Sequence, residues 1–369
     1  MVTNLVTDIR RYGKLFVFPL MLITVIVMTF LSAMHAPTPH EVPIAIVGPA
    51  AMVEPLTEGL RSSVGDRYTI STLPDVERAR EAVASHDVAA ALVLTATAED
   101  RSIGQAYWNA PTLPRDQQER AAVIYIASAA SPALARGAIS PLQSVAVQMD
   151  MPVMVRDVVP LADTDQAGNG QMWFTLAVTI AAYVGVTMLW SVGRDLLNLE
   201  KLLIALLGFG LFMGILSSLL LAFVFDSLNP AKLPLLLVTA VLNVTAVGLG
   251  AAAICRLAGV FATPIVMFVF VGLGTASSGA AIPVQFVPSF FRFFGPIMPY
   301  GATSHAVRSI VYFDNANLWH YWVVLATWIV VMGVLNAILN RWKALPTSNG
   351  TTVVAEIEGH ASTQVAAAT

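Results

Sequence analysis

The sequence holds one cysteine, Cys255, among 369 residues, so no disulfide within the chain is available. Any water-facing part must therefore fold on its hydrophobic core alone. Charge is scarce as well: 12% of the residues are Asp, Glu, Lys or Arg, against roughly 25% in an ordinary soluble domain. Hydrophobic residues reach 56% and the mean hydropathy is +0.71, more apolar surface than a water-soluble fold can hide. There is no clustered Lys/Arg stripe of the kind that phosphate backbones require, which argues against nucleic acid as a partner.

Signatures of catalysis are missing too. No GxxxxGK[ST] loop occurs; the nearest fragment, Gly13-Lys14-Leu15, lacks both the glycine frame and the hydroxyl that would hold magnesium. The chain therefore cannot hydrolyse ATP by itself. The serine-rich run Gly274-Thr275-Ala276-Ser277-Ser278-Gly279 fails G-x-S-x-G, because Ala276 stands where the nucleophile belongs. The six histidines are scattered, with no HExxH. We expect no catalytic residue, no cofactor and no metal, and hence not an enzyme.

What the sequence does have is long uncharged stretches. An apolar helix needs about 20 residues to cross a hydrocarbon layer of about 30 Å, and residues 15–34, 172–192, 202–225, 233–254 and 321–340 meet this. A sixth stretch, 261–278, is shorter and Gly-rich at one end. None of the six contains Asp or Glu, which removes the usual relay of a proton-driven transporter. The polar residues that remain in them, Thr175, Thr179, Thr187, Ser217, Ser218, Asn243, Thr245 and Asn336, are expected to hydrogen-bond between helices. Lining a substrate path is the alternative use for them. Short-segment basic residues set the orientation: Arg10, Arg11 and Lys14, then Arg194 and Lys201, Arg256, and finally Arg341 and Lys343 all fall on one side. The predicted topology is a multi-pass protein of the plasma membrane, the lipid bilayer being its first partner, with both termini cytoplasmic. Residues 1–14 form a cytoplasmic segment, 35–170 an extracytoplasmic domain, and 341–369 a disordered cytoplasmic tail rich in Thr, Ala and Ser.

Residues 35–170 carry 16 acidic and 9 basic residues, so this domain is acidic while the remainder is basic. Short apolar strands alternate there with amphipathic helices, the pattern of an α/β layer domain. Strands are predicted over 42–47, 68–72, 88–94, 103–109 and 155–161, and helices over 51–63, from an Asp75 cap onward, and over 115–130. Asp66, Asp75, Glu77, Glu81 and Asp87 read as a solvated face, and His86 as a loop residue. The pair Tyr107-Trp108 reads as an aromatic strand packed on a helix, with a contact to a partner as the alternative. Residues 163–170 form a polar hinge back to the membrane.

The segment 279–313 is broken by Pro283, Pro288, Pro296 and Pro299, yet too apolar for an aqueous loop. A re-entrant helical hairpin dipping into the bilayer satisfies both facts, since irregular backbone at that depth survives when buried in protein or lining a cavity. Phe286, Phe290, Phe291, Phe293 and Phe294 would sit at the headgroup level. Arg292 and Arg308 would snorkel outward, or attract an anionic headgroup.

The order of one span, an α/β domain and five further spans, with Ser278-Gly279, Ile282-Pro283, Pro288, Phe290-Phe291, Pro296, Pro299-Tyr300 and Arg308 before the last, resembles the type-2 ABC exporter permeases, specifically the YhgE/Pip branch. VPIAIVG, DVERAREAV, VAAALVL and ASAASPALA in the domain are similar to this branch as well. The resemblance covers the chain to about residue 342. It implies a permease subunit that dimerises and moves an amphipathic or lipid-like molecule outward, powered by a separate ATPase subunit. Ser278, Gly279, Pro283, Phe290, Phe291, Arg292, Pro296, Pro299, Tyr300 and Arg308 would form the path or its re-entrant wall. Arg194, Asp195, Glu200 and Lys201 would touch the ATPase. Relatives in this branch also act as envelope receptors or secretion accessories, so a non-transporting protein whose domain binds an envelope protein partner is the alternative.

Overall fold

The computed structural model describes residues 20, 23–25, 27–32, 38–107, 113–193, 198–223, 226 and 229–344. Segment 1–14, half of the first expected span, Trp108, Arg194, Asp195 and the tail from 345 lie outside the described residues.

The α/β domain is a six-stranded mixed sheet in the order β2-β1-β3-β5-β6-β4, running from β1 (Val42–Val47) and α1 (Ala50–Val64) through β2 (Tyr68–Leu73), α2 (Val76–Ala84) and β3 (Ala90–Val93). The chain then forms the short helix α3 (Ala98–Ser102), β4 (Gln105–Ala106), the single turn α4 (Arg115–Gln118), β5 (Ala122–Ile126), α5 (Pro132–Gln148) and β6 (Val153–Asp157). Successive strand residues point to opposite faces, so both faces of the sheet find cover. Val42, Ile44 and Ile46 meet α1 and α5 through Val53, Leu60, Ala138 and Leu142. Ala45 and Val47 meet α2 through Ala79, Ala82 and Val83. Helix α2 begins where its sequence predicts, because the Asp75 carboxylate accepts from the Arg78 amide at 2.7 Å.

Two expectations for this domain are corrected. The stretch 115–130 is not a helix: only Arg115–Gln118 turns, and AVIYI becomes β5 at the centre of the sheet, buried on both faces. A fully apolar run carries no periodicity, and its β-branched and aromatic content favours a strand. Of the expected strand 103–109, the described residues 103–107 give a strand at Gln105–Ala106 alone, after a short helix over 98–102 that Thr97 and Asp100 cap reciprocally.

Four described helices are long and apolar enough to cross a membrane: α6 (Gly170–Val192), α7 (Leu199–Phe223), α8 (Leu233–Ala258) and α12 (Leu318–Ala344). Between α8 and α12 lie α9 (Ala262–Ser277), α10 (Ser289–Phe294) and α11 (Pro299–Tyr312). Helix α9 is a shorter apolar helix, and its middle, Met267–Leu273, widens into a π-helix. Helix α8 is the enclosed centre, whereas α12 presents most of its surface outward. Helices α7 and α8 touch backbone to backbone: a Cβ on Gly210 would lie 2.9 Å from Val241 Cα, and one on Gly214 would lie 2.9 Å from Ala240 Cβ. This is G-x-x-x-G packing, in which missing side chains allow close van der Waals contact where lipid supplies no hydrophobic drive.

Polar residues in the bundle divide into three groups, one of which departs from the expected pairing between helices: Ser217 and Ser218 of α7 are buried with no hydrogen-bond partner for their hydroxyls among the described residues. Thr179 donates to Asn243 Oδ1 at 3.3 Å, and Asn243 Nδ2 donates to Thr303 Oγ1 at 2.7 Å, linking α6, α8 and α11. Asn336 Nδ2 donates across to the Leu249 carbonyl at 2.9 Å. Thr175, Thr187 and Thr245 instead bond carbonyls one turn back in their own helices.

The polar hinge between domain and bundle is a built corner. Asp165, 3% exposed, accepts from the Asn169 and Gly170 amides at 2.8 Å each. Its carboxylate thus caps the positive end of α6.

Candidate functional site

Residues 278–313 fold as a stack of short pieces against the α/β domain. Pro283 and Pro288 precede single turns, Pro296 lies in another, and Pro299 takes the first position of α11, where a missing N–H costs nothing. Three backbones converge at the base of this stack. A Cβ on Gly295 would sit 2.5 Å from the Ser277 carbonyl, and one on Gly301 would sit 2.5 Å from the Gly295 carbonyl. Tyr300 fills the space beneath, its hydroxyl donating to the Met172 carbonyl at 3.4 Å.

The phenylalanines take three different roles. Phe291 is buried against Ala276 and Val287 and so faces protein. Phe286 points into the α/β domain and occupies the room left by Gly137, whose Cβ would lie 2.7 Å from the ring. Phe290 and Phe293 remain exposed, as do Trp173 and Trp319 at the same end of the bundle, the disposition of an interfacial aromatic belt.

Three ties hold the domain onto this segment. The His40 amide donates to the Gln285 carbonyl at 2.9 Å. Arg292 approaches Glu41 at 3.8 Å, so it faces the domain rather than snorkelling freely. His86 meets the Phe313 ring edge-on, with centroids 3.9 Å apart. His86 has a left-handed backbone, φ 69°, and ends the turn after α2 as a loop residue. The residue as a whole is exposed, yet desolvation by the packed walls, aided by the Arg308 charge and opposed by Asp87, lowers its pKa from 6.5 to about 4. It is neutral at pH 7.

Between these ties lies a cavity of about 120 Å³, lined among others by His86, Ser131, Gly279, Pro283, His305 and Arg308. Arg308 is 6% exposed and does not snorkel, because α11 is covered on its arginine side by the domain. His305 hydrogen-bonds the Ser278 backbone and stacks on Tyr321 at 5.7 Å. It also borders a second cavity of about 260 Å³, beside Arg292, Pro296 and Tyr321. The structure therefore brings together Gly279, Pro283 and Arg308 at one cavity and Arg292 and Pro296 at the next, while Ser278 and Phe290 line neither. His305 and Ser131 are additions that sequence reading did not single out. The readable signals were the i, i+3 spacing of His305 and Arg308, and Ser-Pro at 131–132, a helix-start signature.

A third space is an apolar groove of about 600 Å³ between α6 and α7, lined by Trp173, Phe174, Ile180, Met213, Ser217 and Leu220. Its rim residues Trp173 and Leu220 are 50% and 46% exposed. At the opposite end of the bundle, Glu200 and Lys201 are exposed in the first turn of α7, and Arg256 donates to the Asn336 carbonyl at 2.9 Å. Arg194 and Asp195, expected beside them, lie outside the described residues. Tyr107 is 5% exposed and packed in the sheet core, so it offers no surface for a partner.

A bundle of apolar helices that carries a mixed α/β domain on one end defines a polytopic membrane protein. Residues 15–338 match the family model described as ABC-2 family transporter protein, and the chain belongs to that family. No curated protein matches the chain.

Proposed function

We propose that this chain is the membrane-spanning subunit of an ABC-2-type exporter of the YhgE/Pip branch, moving an amphipathic or lipid-like molecule outward with a separate ATPase. The observation that carries this reading, within a transporter family, is the groove between α6 and α7. Its volume suits a ligand-sized group, its walls are almost wholly apolar, and it lies at the end of the bundle where the aromatic belt and the α/β domain sit. In this reading residues 35–170 are extracytoplasmic. The basic residues at the far end, Lys201, Arg256 and Arg341, then face the cytoplasm in accord with the positive-inside rule. Glu200 and Lys201, exposed there, form the described part of the ATPase contact. The apolar outer faces of α7 and α12, including Phe212, Ile215, Val330 and Val334, meet lipid and a second copy in a homodimer.

The test is affinity purification of the full chain from its native membranes in mild detergent. An ATPase should co-purify, and Glu200→Lys with Lys201→Glu should reduce the recovered ATPase activity several-fold. Repeated recovery of the chain without any nucleotide-hydrolysing subunit, even after cross-linking, overturns the reading.

A further inference from the structure

We propose that the junction between the α/β domain and the re-entrant segment is a binding site for a phosphate-class oxyanion, free or borne on a lipid head, held by Arg308 against the amino end of α5. This goes beyond the export reading and does not depend on it, since occupancy of the site requires no transport.

Arg308 is the first reason. Its side chain is buried, its Nε has no hydrogen-bond partner, and among the described residues no carboxylate stands within ion-pair distance of it. The guanidinium stays protonated in any protein environment, and a buried charge without a counter-ion is strongly unfavourable. The residues that line the cavity include no acid. Acids of the surrounding segments are engaged elsewhere: Asp87 is exposed and accepts from Ser85 Oγ at 2.9 Å, Glu41 faces Arg292, and Asp314 pairs with Lys232 at 3.3 Å. Among the described residues no acid supplies the charge that would balance Arg308.

The second reason is what faces it. Ser131 caps α5, a helix of 17 residues, and Ala130, Ser131 and Leu134 line the same cavity, so the positive end of the helix dipole is directed at it. His86, Gln285 and His305 add polar groups around the wall. A guanidinium fork opposite a helix amino end matches a tetrahedral oxyanion that can accept two parallel hydrogen bonds. The volume agrees: about 120 Å³ gives room for a phosphate group. The larger cavity shares Val284 and His305 with it and offers space for whatever the phosphate is attached to.

The test uses the full chain. In detergent, replacing chloride by inorganic phosphate at constant ionic strength should raise the thermal midpoint by about 5 °C when phosphate is well above its Kd. In parallel, nanodiscs of phosphatidylcholine are compared with nanodiscs containing phosphatidic acid. A rise with phosphate alone assigns a free anion, a rise with phosphatidic acid alone assigns a lipid head, and both support the site. Arg308→Gln should abolish the response without lowering the midpoint of the unliganded protein, because it removes an unbalanced charge. Arg308→Lys, which keeps the charge and loses the fork, should retain a smaller response, and it serves if the glutamine variant does not fold. No shift of the wild-type chain in either medium overturns the proposal, as does an undiminished shift in Arg308→Gln. Loss of a co-purifying ATPase would leave these readings unchanged, so the two proposals fail separately.

Discussion

Single side chains at the joints decide how the two halves of this molecule are held. Asp165 is the clearest case, because both carboxylate oxygens are occupied by the first amides of α6 and the residue is buried. Asp165→Ala should destabilise the full chain by about 1–3 kcal/mol, the loss of a cap plus two stranded amides. Asp165→Asn, which keeps one acceptor oxygen, should recover part of that, as thermal unfolding in detergent would show. At this scale sequence reading has limits. Asp163, Asp165 and Gly168 look like a polar hinge on paper, and only the folded chain reveals which carboxylate turns inward. Arg308 illustrates the same limit: an arginine near a membrane end is expected to reach for water, and what keeps this one buried is a domain more than 150 residues earlier in the chain.

Helices and strands were more legible, for reasons that differ between the halves. In the bundle, an uncharged stretch of some twenty residues has one low-energy destination, so 172–192, 202–225, 233–254 and 321–340 reappear as α6, α7, α8 and α12 within a few residues. In the α/β domain, the Pro-rich linker before VPIAIV marks β1 and an Asp cap identifies α2, whereas β5 follows directly on the polar turn 115–118 and its uniform hydrophobicity carries no period to separate it from a helix. Helix α5 is masked by its internal Pro141, which argues against a helix unless the bend is tolerated. Helix pairing was not read from the sequence; the structure shows it at Gly210 and Gly214, and it makes a sharp comparison possible. Gly210→Ala should cost about 1–3 kcal/mol, since the new methyl meets backbone that cannot step aside. Gly208→Ala, two residues away with nothing within 4 Å, should be neutral or stabilise by up to about 1 kcal/mol. Equal effects in a detergent unfolding assay would show that the close crossing of α7 and α8 does not hold the pair.

For the whole molecule, the distribution of charge and the single buried cysteine combine into a practical readout of orientation. Cys255 is buried, so a cysteine introduced elsewhere reports its own position. With the α/β domain outside, Glu58→Cys on α1 should react with a membrane-impermeant maleimide on intact cells, and Lys201→Cys should react only after permeabilisation. The reverse pattern would invert the proposed topology. The joint at Asp165 also has a mechanical meaning. Because the sheet continues into α6 through a capped corner instead of a loose tether, a few degrees of tilt in that helix would swing the distant edge strand β2 through a much longer arc. Distances measured with spectroscopic labels on that strand would then track rearrangements deep in the lipid-embedded helices, turning the domain into a pointer for motions too small to follow where they originate.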